Sequence, residues 1–295
     1  SLKQAASALH IYGKRDCQAE AYTSFGCDWS DDPWTMKDIG DAALCEGLTR
    51  NVLCFWVHQS RLDAKPGFQW AHVGTHFDCK LTWWPMSGAW LTYLARCQYM
   101  LRQGLFAADV AYLQNEAIPS FIPPRPSQRP AGFDYDVLNA EVLLTRAAAK
   151  DGRLVLPDGM SYRYLVLPPQ PDAVLSPATL KKVNELANAG VAVIGPQTLA
   201  ESVAKLREGP FEAVARADGL APDIEFREPS TGAQFDWIHR RVGATEIYFL
   251  SNQSTLDATA QVVFRVAGRQ PELWDAVTGG VRDLPDYREE DGRTV

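Results

Sequence analysis

Apolar residues fall at helical spacing over residues 3–13, Lys-Gln-Ala-Ala-Ser-Ala-Leu-His-Ile-Tyr-Gly, and the closing glycine is a stop signal. Residues 17–25 read as a strand carrying Glu20, followed by a loop with Trp29, Asp31, Asp32 and Trp34. Residues 35–48 return to helical spacing, with Thr35 as N-cap and Asp38 three residues on. Residues 51–58, Asn-Val-Leu-Cys-Phe-Trp-Val-His, form a near-continuous apolar run that suits a strand buried on both faces of a parallel sheet. After a long loop, residues 86–104 predict a strong amphipathic helix ending at Gly104. This helix–strand–helix–strand–helix rhythm is that of an α/β fold. Both strands carry polar residues near their C-terminal ends: Glu20 and Thr23 on one, His58 and Gln59 on the other. In a (β/α)8 barrel that edge is the catalytic rim.

Further on, residues 107–114 read as a strand, 119–130 as a Pro-rich loop, 134–147 as a helix, and 153–157 and 162–168 as strands. Ser176-Pro177 opens a helix, with Ser as N-cap and Pro at the first position, that stops at Gly190. A short buried strand at 191–195 and a helix at 198–207 complete a second, open parallel α/β unit. From about residue 223 the period changes to two. Segments 236–241, 245–251 and 260–266 read as antiparallel strands of a sandwich-like unit. The expected domains are therefore 1–105, 106–215 and 216–295.

Composition narrows the function. The net charge is −7 with no basic stripe, which argues against nucleic acid. No apolar run approaches the roughly 18–20 residues needed to cross a membrane. The chain opens Ser-Leu-Lys and ends just after strand-like sequence, and two strands cannot close a barrel. A fragment of a longer protein, lacking an N-terminal part of the barrel, is the expectation. All six Cys, four of five His and seven of nine Trp precede residue 98, so side chains suited to chemistry concentrate in the first third. The cysteines show no CxxC pair and read as buried free thiols rather than disulfides or metal ligands.

Glu20 is the candidate general acid or base; the plain alternative is a capping or salt-bridged surface carboxylate. His58 and Gln59 could hydrogen-bond a polar ligand, or simply hold a loop. Trp83 and Trp84, with Trp70 and His76 nearby and Tyr22 beside Glu20, could form a platform for sugar rings; core packing is the alternative. Asp28, Asp31 and Asp32 offer hard oxygens of the kind calcium takes, but their spacing fits a solvated turn better. The second α/β unit could be amidotransferase-like or nucleotide-binding in shape. It has no Cys, no His and no phosphate-binding Gly loop, so it reads as a non-catalytic interface module.

Residues 3–13 with Ala19-Glu20-Ala21-Tyr22-Thr23-Ser24, then His58-Gln59, Lys65-Pro66-Gly67, Thr82-Trp83-Trp84 and Tyr93-Leu94-Ala95-Arg96-Cys97-Gln98, resemble glycoside hydrolase family 106, the α-L-rhamnosidases. Gly132-Phe133-Asp134-Tyr135-Asp136, Leu156-Pro157-Asp158-Gly159, Tyr164-Leu165-Val166-Leu167-Pro168 and Pro271-Glu272-Leu273-Trp274-Asp275 continue the resemblance in order. It implies the end of a (β/α)8 barrel, an amidotransferase-like α/β domain and β-sandwich modules. It also implies calcium-assisted, inverting hydrolysis of terminal α-L-rhamnosides on rhamnose-containing glycosides or polysaccharides, in a periplasmic or secreted bacterial protein. Glu20 matches one catalytic carboxylate of the family, whose other lies earlier in the barrel. Where the family carries an Arg near Phe77-Asp78, this chain has Cys79-Lys80. The competing class is a non-catalytic carbohydrate-binding fragment using Trp83, Trp84 and His58.

Overall fold

The computed structural model describes residues 2–26, 29–54, 56–70, 73, 76–118, 129–169 and 173–295. Helix α1 (Leu2–Ile11) buries Lys3, Ala6, Ser7, His10 and Ile11, the face expected from its three-to-four spacing. Strands β1 (Gln18–Ala21) and β2 (Arg50–Leu53) pair in parallel, with Glu20 opposite Val52 and Ala21 opposite Leu53. Helix α2 (Pro33–Cys45) connects them. Both strands are shorter than the sequence suggests. Tyr22 turns left-handed (φ 63°) and ends β1. Among the described residues, the last rung of β2 is the Cys54 N–H to the Ala21 carbonyl at 3.1 Å. The expectation of burial on both faces is corrected too: Arg50 and Val52 are exposed, while Asn51 and Leu53 are half-buried.

Helix α2 starts earlier than expected. Asp32, not Thr35, is its N-cap: the Asp32 side chain accepts from the Thr35 N–H at 2.9 Å, and Thr35 Oγ1 accepts from the Asp32 N–H at 3.0 Å. Pro33 at the first position needs no donor partner and favours this start. Helix α3 (Ser87–Leu101) leads to the short β3 (Leu105–Phe106).

The second unit is a parallel sheet, with β4 (Val110–Leu113) between β5 (Tyr135–Leu138) and, on its other side, β9 (Tyr164–Val166), which pairs with β10 (Ala192–Ile194). A small antiparallel sheet of β6 (Ala148–Lys150), β7 (Arg153–Val155) and β8 (Ser161–Tyr162) lies between β5 and β9 in the chain. Helices α4 (Ala140–Thr145), α5 (Pro177–Asn188) and α6 (Phe211–Ala217) accompany the sheets. Residues 134–147 are not one helix but β5 followed by α4. All four β5 residues are buried, with Tyr135 and Val137 in one apolar cluster and Leu138 in another. That two-sided burial is a strand's pattern. The helix expected at 198–207 is a single 3₁₀ turn at Gln197–Leu199; beyond it the chain bonds to β10 through the Arg207 N–H and Val193 carbonyl (2.9 Å). Ser176 caps α5 as expected. The Pro-rich segment 119–128 lies outside the described residues.

The last third is antiparallel. Strand β11 (Ile224–Arg227) pairs with β14 (Gln261–Phe264), and β12 (Phe235–Val242) with β13 (Thr245–Asn252). Strands β15 (Glu272–Trp274) and β16 (Val281–Asp283) form a ribbon, and β17 (Glu289–Glu290) and β18 (Arg293–Thr294) extend the β11–β14 sheet. Strand β3 pairs with β12, so the first third enters a sheet of the last. One buried cluster likewise runs from Ile11, Leu44 and Trp90 through Leu113 and Val183 to Ile238. Polar contacts tie α1 to β5: Lys3 to Asp134 and His10 to Asp136, both at 2.9 Å. Cys17, Cys45 and Cys97 are buried free thiols, Cys54 is half-buried and Cys79 exposed; Cys27 is outside the described residues. Among the described residues no helix is long and apolar enough to cross a membrane.

Candidate active site

On β1 and β2, Gln18, Glu20, Arg50 and Val52 share the exposed face, because side chains alternate along a strand. The other face turns toward the helices: Leu53 packs on the main core, and the Asn51 N–H donates to Gln98 of α3 at 2.9 Å. Glu20 therefore stands on the helix-free face, next to the C-terminal end of β1. Thr23 Oγ1 donates to Glu20 Oε1 at 2.5 Å, a length typical of a hydroxyl on a carboxylate. This bond first, and a second from the Cys54 thiol, hold the Glu20 pKa below the usual carboxylate value. Burial pushes the Cys54 thiol upward, and the neighbouring Glu20 charge adds to that rise.

The loops around Glu20 are stitched together by polar contacts. Ser24 donates its hydroxyl to Asp31, and Trp83 Nε1 donates to the Asp31 carbonyl at 2.9 Å. Gln59 donates to the Phe68 carbonyl at 2.9 Å and accepts from the Phe68 N–H at 2.8 Å, and its amide also reaches Asp78 at 3.1 Å. Lys80 Nζ donates to the carbonyls of Arg61, Leu62 and Ala64. Lys80 thus closes a loop.

The residues expected to meet substrate separate into groups. Glu20 is exposed and joined to Thr23 and Cys54. His58 is exposed in the segment after β2. Gln59 is occupied as the organiser of its own loop. Tyr22 is half-buried, its ring 5.3 Å from Trp90 and 6.4 Å from Phe77, and burial first, then the Asp41 charge, push its hydroxyl pKa well up. Trp83 and Trp84 are half-buried against each other and the core, with Trp83 edge-on to Phe77 and Trp90. His76 is buried and stacked on Trp29 at 4.0 Å. The exposed aromatic side chains of this region among the described residues are instead Phe25, Trp34, Trp56, Phe68 and Trp70. Sequence reasoning offered the Trp83-Trp84 pair as a sugar platform with core packing as the alternative; a doublet entering an amphipathic helix is a packing signal. Cys54 read as one of the buried free thiols; it is half-buried, and its contact with Glu20 depends on strand register, which the sequence does not show.

Among the described residues no group of three or more His, Cys, Asp or Glu is placed to hold a metal ion. Asp31 and Asp32 are engaged with Ser24 and as the cap of α2, and Asp28 lies outside the described residues. The described donors thus do not fit a calcium cage. Two shallow concavities, of about 450 and 360 Å³, lie by Arg153, Tyr164 and Asp218 and by Phe226, Phe235 and Leu250, away from Glu20.

A family model described as α-L-rhamnosidase, glycoside hydrolase family 106, matches residues 1–208 and 202–289. A protein of Formosa agariphila named "Putative beta-glucuronidase" is 32% identical over 302 residues, covering 96% of this chain and 26% of that protein. The solved structure of a rhamnosidase from Novosphingobium sp. PP1Y superposes with a TM-score of 0.88 at 29% identity, over 99% of this chain and 31% of that one. The chain therefore spans about a quarter to a third of the length of these relatives. With a family match over nearly all of its residues, the chain belongs to glycoside hydrolase family 106, the α-L-rhamnosidase family.

Proposed function

We propose that the protein containing this chain hydrolyses terminal α-L-rhamnosides with inversion, and that Glu20 is one of its two reacting carboxylates. In this reading β1 and β2 are neighbouring strands of a (β/α)8 barrel wall, and their helix-free face is the barrel interior. The second and third units are the amidotransferase-like and sandwich-like domains that flank it. The observation that carries the assignment is the position of Glu20: an ionised carboxylate on the helix-free face, at the C-terminal end of a parallel strand. An inverting pair places its carboxyl groups about 6.5–9.5 Å apart, one activating water and the other protonating the leaving oxygen.

The test is Glu20→Gln in the full-length protein, assayed on an aryl α-L-rhamnoside. Loss of general acid–base catalysis lowers kcat by about 10²- to 10⁴-fold. Wild-type turnover in that variant removes Glu20 from the mechanism. A β-glucuronide is the second reading, favoured by the name of the Formosa agariphila relative. Release of the aryl group from the glucuronide but not from the rhamnoside selects it.

A further inference from the structure

Among the described residues no ion pair reaches Glu20; its carboxylate is held by a turn. The chain leaves β1 through Tyr22 in the left-handed region (φ 63°), a conformation that costs an L-residue with a bulky side chain. The turn closes with the Ser24 N–H on the Tyr22 carbonyl at 3.1 Å, and the Ser24 hydroxyl anchors it on Asp31. What holds Tyr22 there is its ring, wedged against Trp90 and Phe77. Its hydroxyl lies over Gly40 of α2, where a Cβ would stand 2.4 Å from it. Backbone strain of this kind persists only where the surroundings impose it, and it gathers at functional sites. Its product here is Thr23, whose hydroxyl is folded back onto Glu20 at 2.5 Å. From the other strand, Cys54 continues the ladder at 3.1 Å, on the face shared by Val52 and Glu20.

We infer that Tyr22 and Thr23 are positioning residues for Glu20: the half-buried Tyr22 ring holds a strained turn that delivers the Thr23 hydroxyl to the Glu20 carboxylate. The inference rests on the reading of Glu20 as a reacting carboxylate, and it assigns its role. A carboxylate that already accepts from a hydroxyl and a thiol is stabilised in its charged form, the state a general base needs. Glu20 takes a proton from water as the water oxygen bonds to the anomeric carbon. The glycosidic carbon–oxygen bond breaks, and the leaving oxygen takes its proton from the other, protonated carboxyl group. Among the described residues, the titratable group facing Glu20 is Cys54.

Two measurements separate this inference from the reading beneath it. In the full-length protein, Glu20 is titrated by carbon-13 NMR of its carboxyl group, assigned with Glu20→Gln. Thr23→Val moves its midpoint upward and Thr23→Ser restores it. Tyr22→Ala, which frees the turn while keeping the hydroxyl, moves it the same way, and Tyr22→Phe does not. An unmoved midpoint in Thr23→Val overturns the positioning role. In the full-length protein, Thr23→Val shifts the acidic limb of kcat/KM to higher pH and lowers kcat by about tenfold to a hundredfold with little change in KM. A midpoint that moves while the pH–rate profile stays in place overturns the catalytic assignment of Glu20, and the inference with it.

Discussion

Removing one partner of the Lys3–Asp134 pair destabilises the fold more than any surface change. Both side chains are fully buried, and Nζ lies 2.9 Å from Oδ1. The ammonium also sits 4.4 Å from the Phe106 ring centre and 4.9 Å from that of Tyr135. Lys3→Met strands the Asp134 carboxylate, which keeps the Tyr135 N–H at 2.8 Å and has Arg129 at 3.8 Å. That partial compensation places the cost at the low end for a broken buried pair, about 3 kcal/mol. Asp134→Leu strands an ammonium among aromatic rings. The protein can always neutralise it, and doing so for an ordinary lysine at pH 7 costs about 5 kcal/mol, which is the ceiling for that variant. The double variant, Met with Leu, removes both charges of the pair, leaves Arg129 its Asp236 partner, and returns to within about 1 kcal/mol of wild type. Urea unfolding, followed by circular dichroism and by the fluorescence of the nine tryptophans, measures all three. A loss below about 1 kcal/mol in Lys3→Met, or a double variant as unstable as the sum of the singles, refutes the reasoning.

Two further outcomes follow from the last sheet and the link into it. His239 is buried, and burial opposes its charge, but Asp223 at 2.7 Å and Glu246 at 2.8 Å outweigh that and raise its pKa. A raised folded value means this stability is present below the unfolded value of 6.5 and is lost as pH climbs through the folded one. Unfolding free energy measured from pH 6 upward therefore falls, and His239→Gln flattens that slope; an unchanged slope excludes the imidazolium. Gly104 has φ +57°, and a Cβ there would stand 2.0 Å from the Arg241 carbonyl. Gly104→Ala strains the backbone and pushes β3 off β12, costing more than about 1 kcal/mol in the same urea assay.

The α/β rhythm of the first third was legible because local spacing reports which face of an element is buried. The cap of α5 was legible for the same kind of reason: Ser176 and Pro177 act on their own neighbours. Residues 134–147 were misread because their hydrophobic density suits helix or strand alike. The choice was made by tertiary contacts: α1 sets Lys3 against Asp134 and His10 against Asp136 from the far end of the sequence. The site divided likewise. Glu20 stood out as a carboxylate near a strand end, whereas Cys54 needed the register of β1 on β2 and Thr23 needed the turn at Tyr22.

By itself, the sequence determined the class of fold, the family and the concentration of chemistry in the first third, since these depend on residue type and near-neighbour order. Only the tertiary structure decided which aromatic side chains are core and which are exposed, and how Lys3 of α1 and Asp134, just before β5, share a buried ion pair. It also decided how the Glu20 carboxylate is held. Each of these depends on groups distant in the chain coming within hydrogen-bond or van der Waals range, and a position's burial is set by those partners rather than by its own side chain.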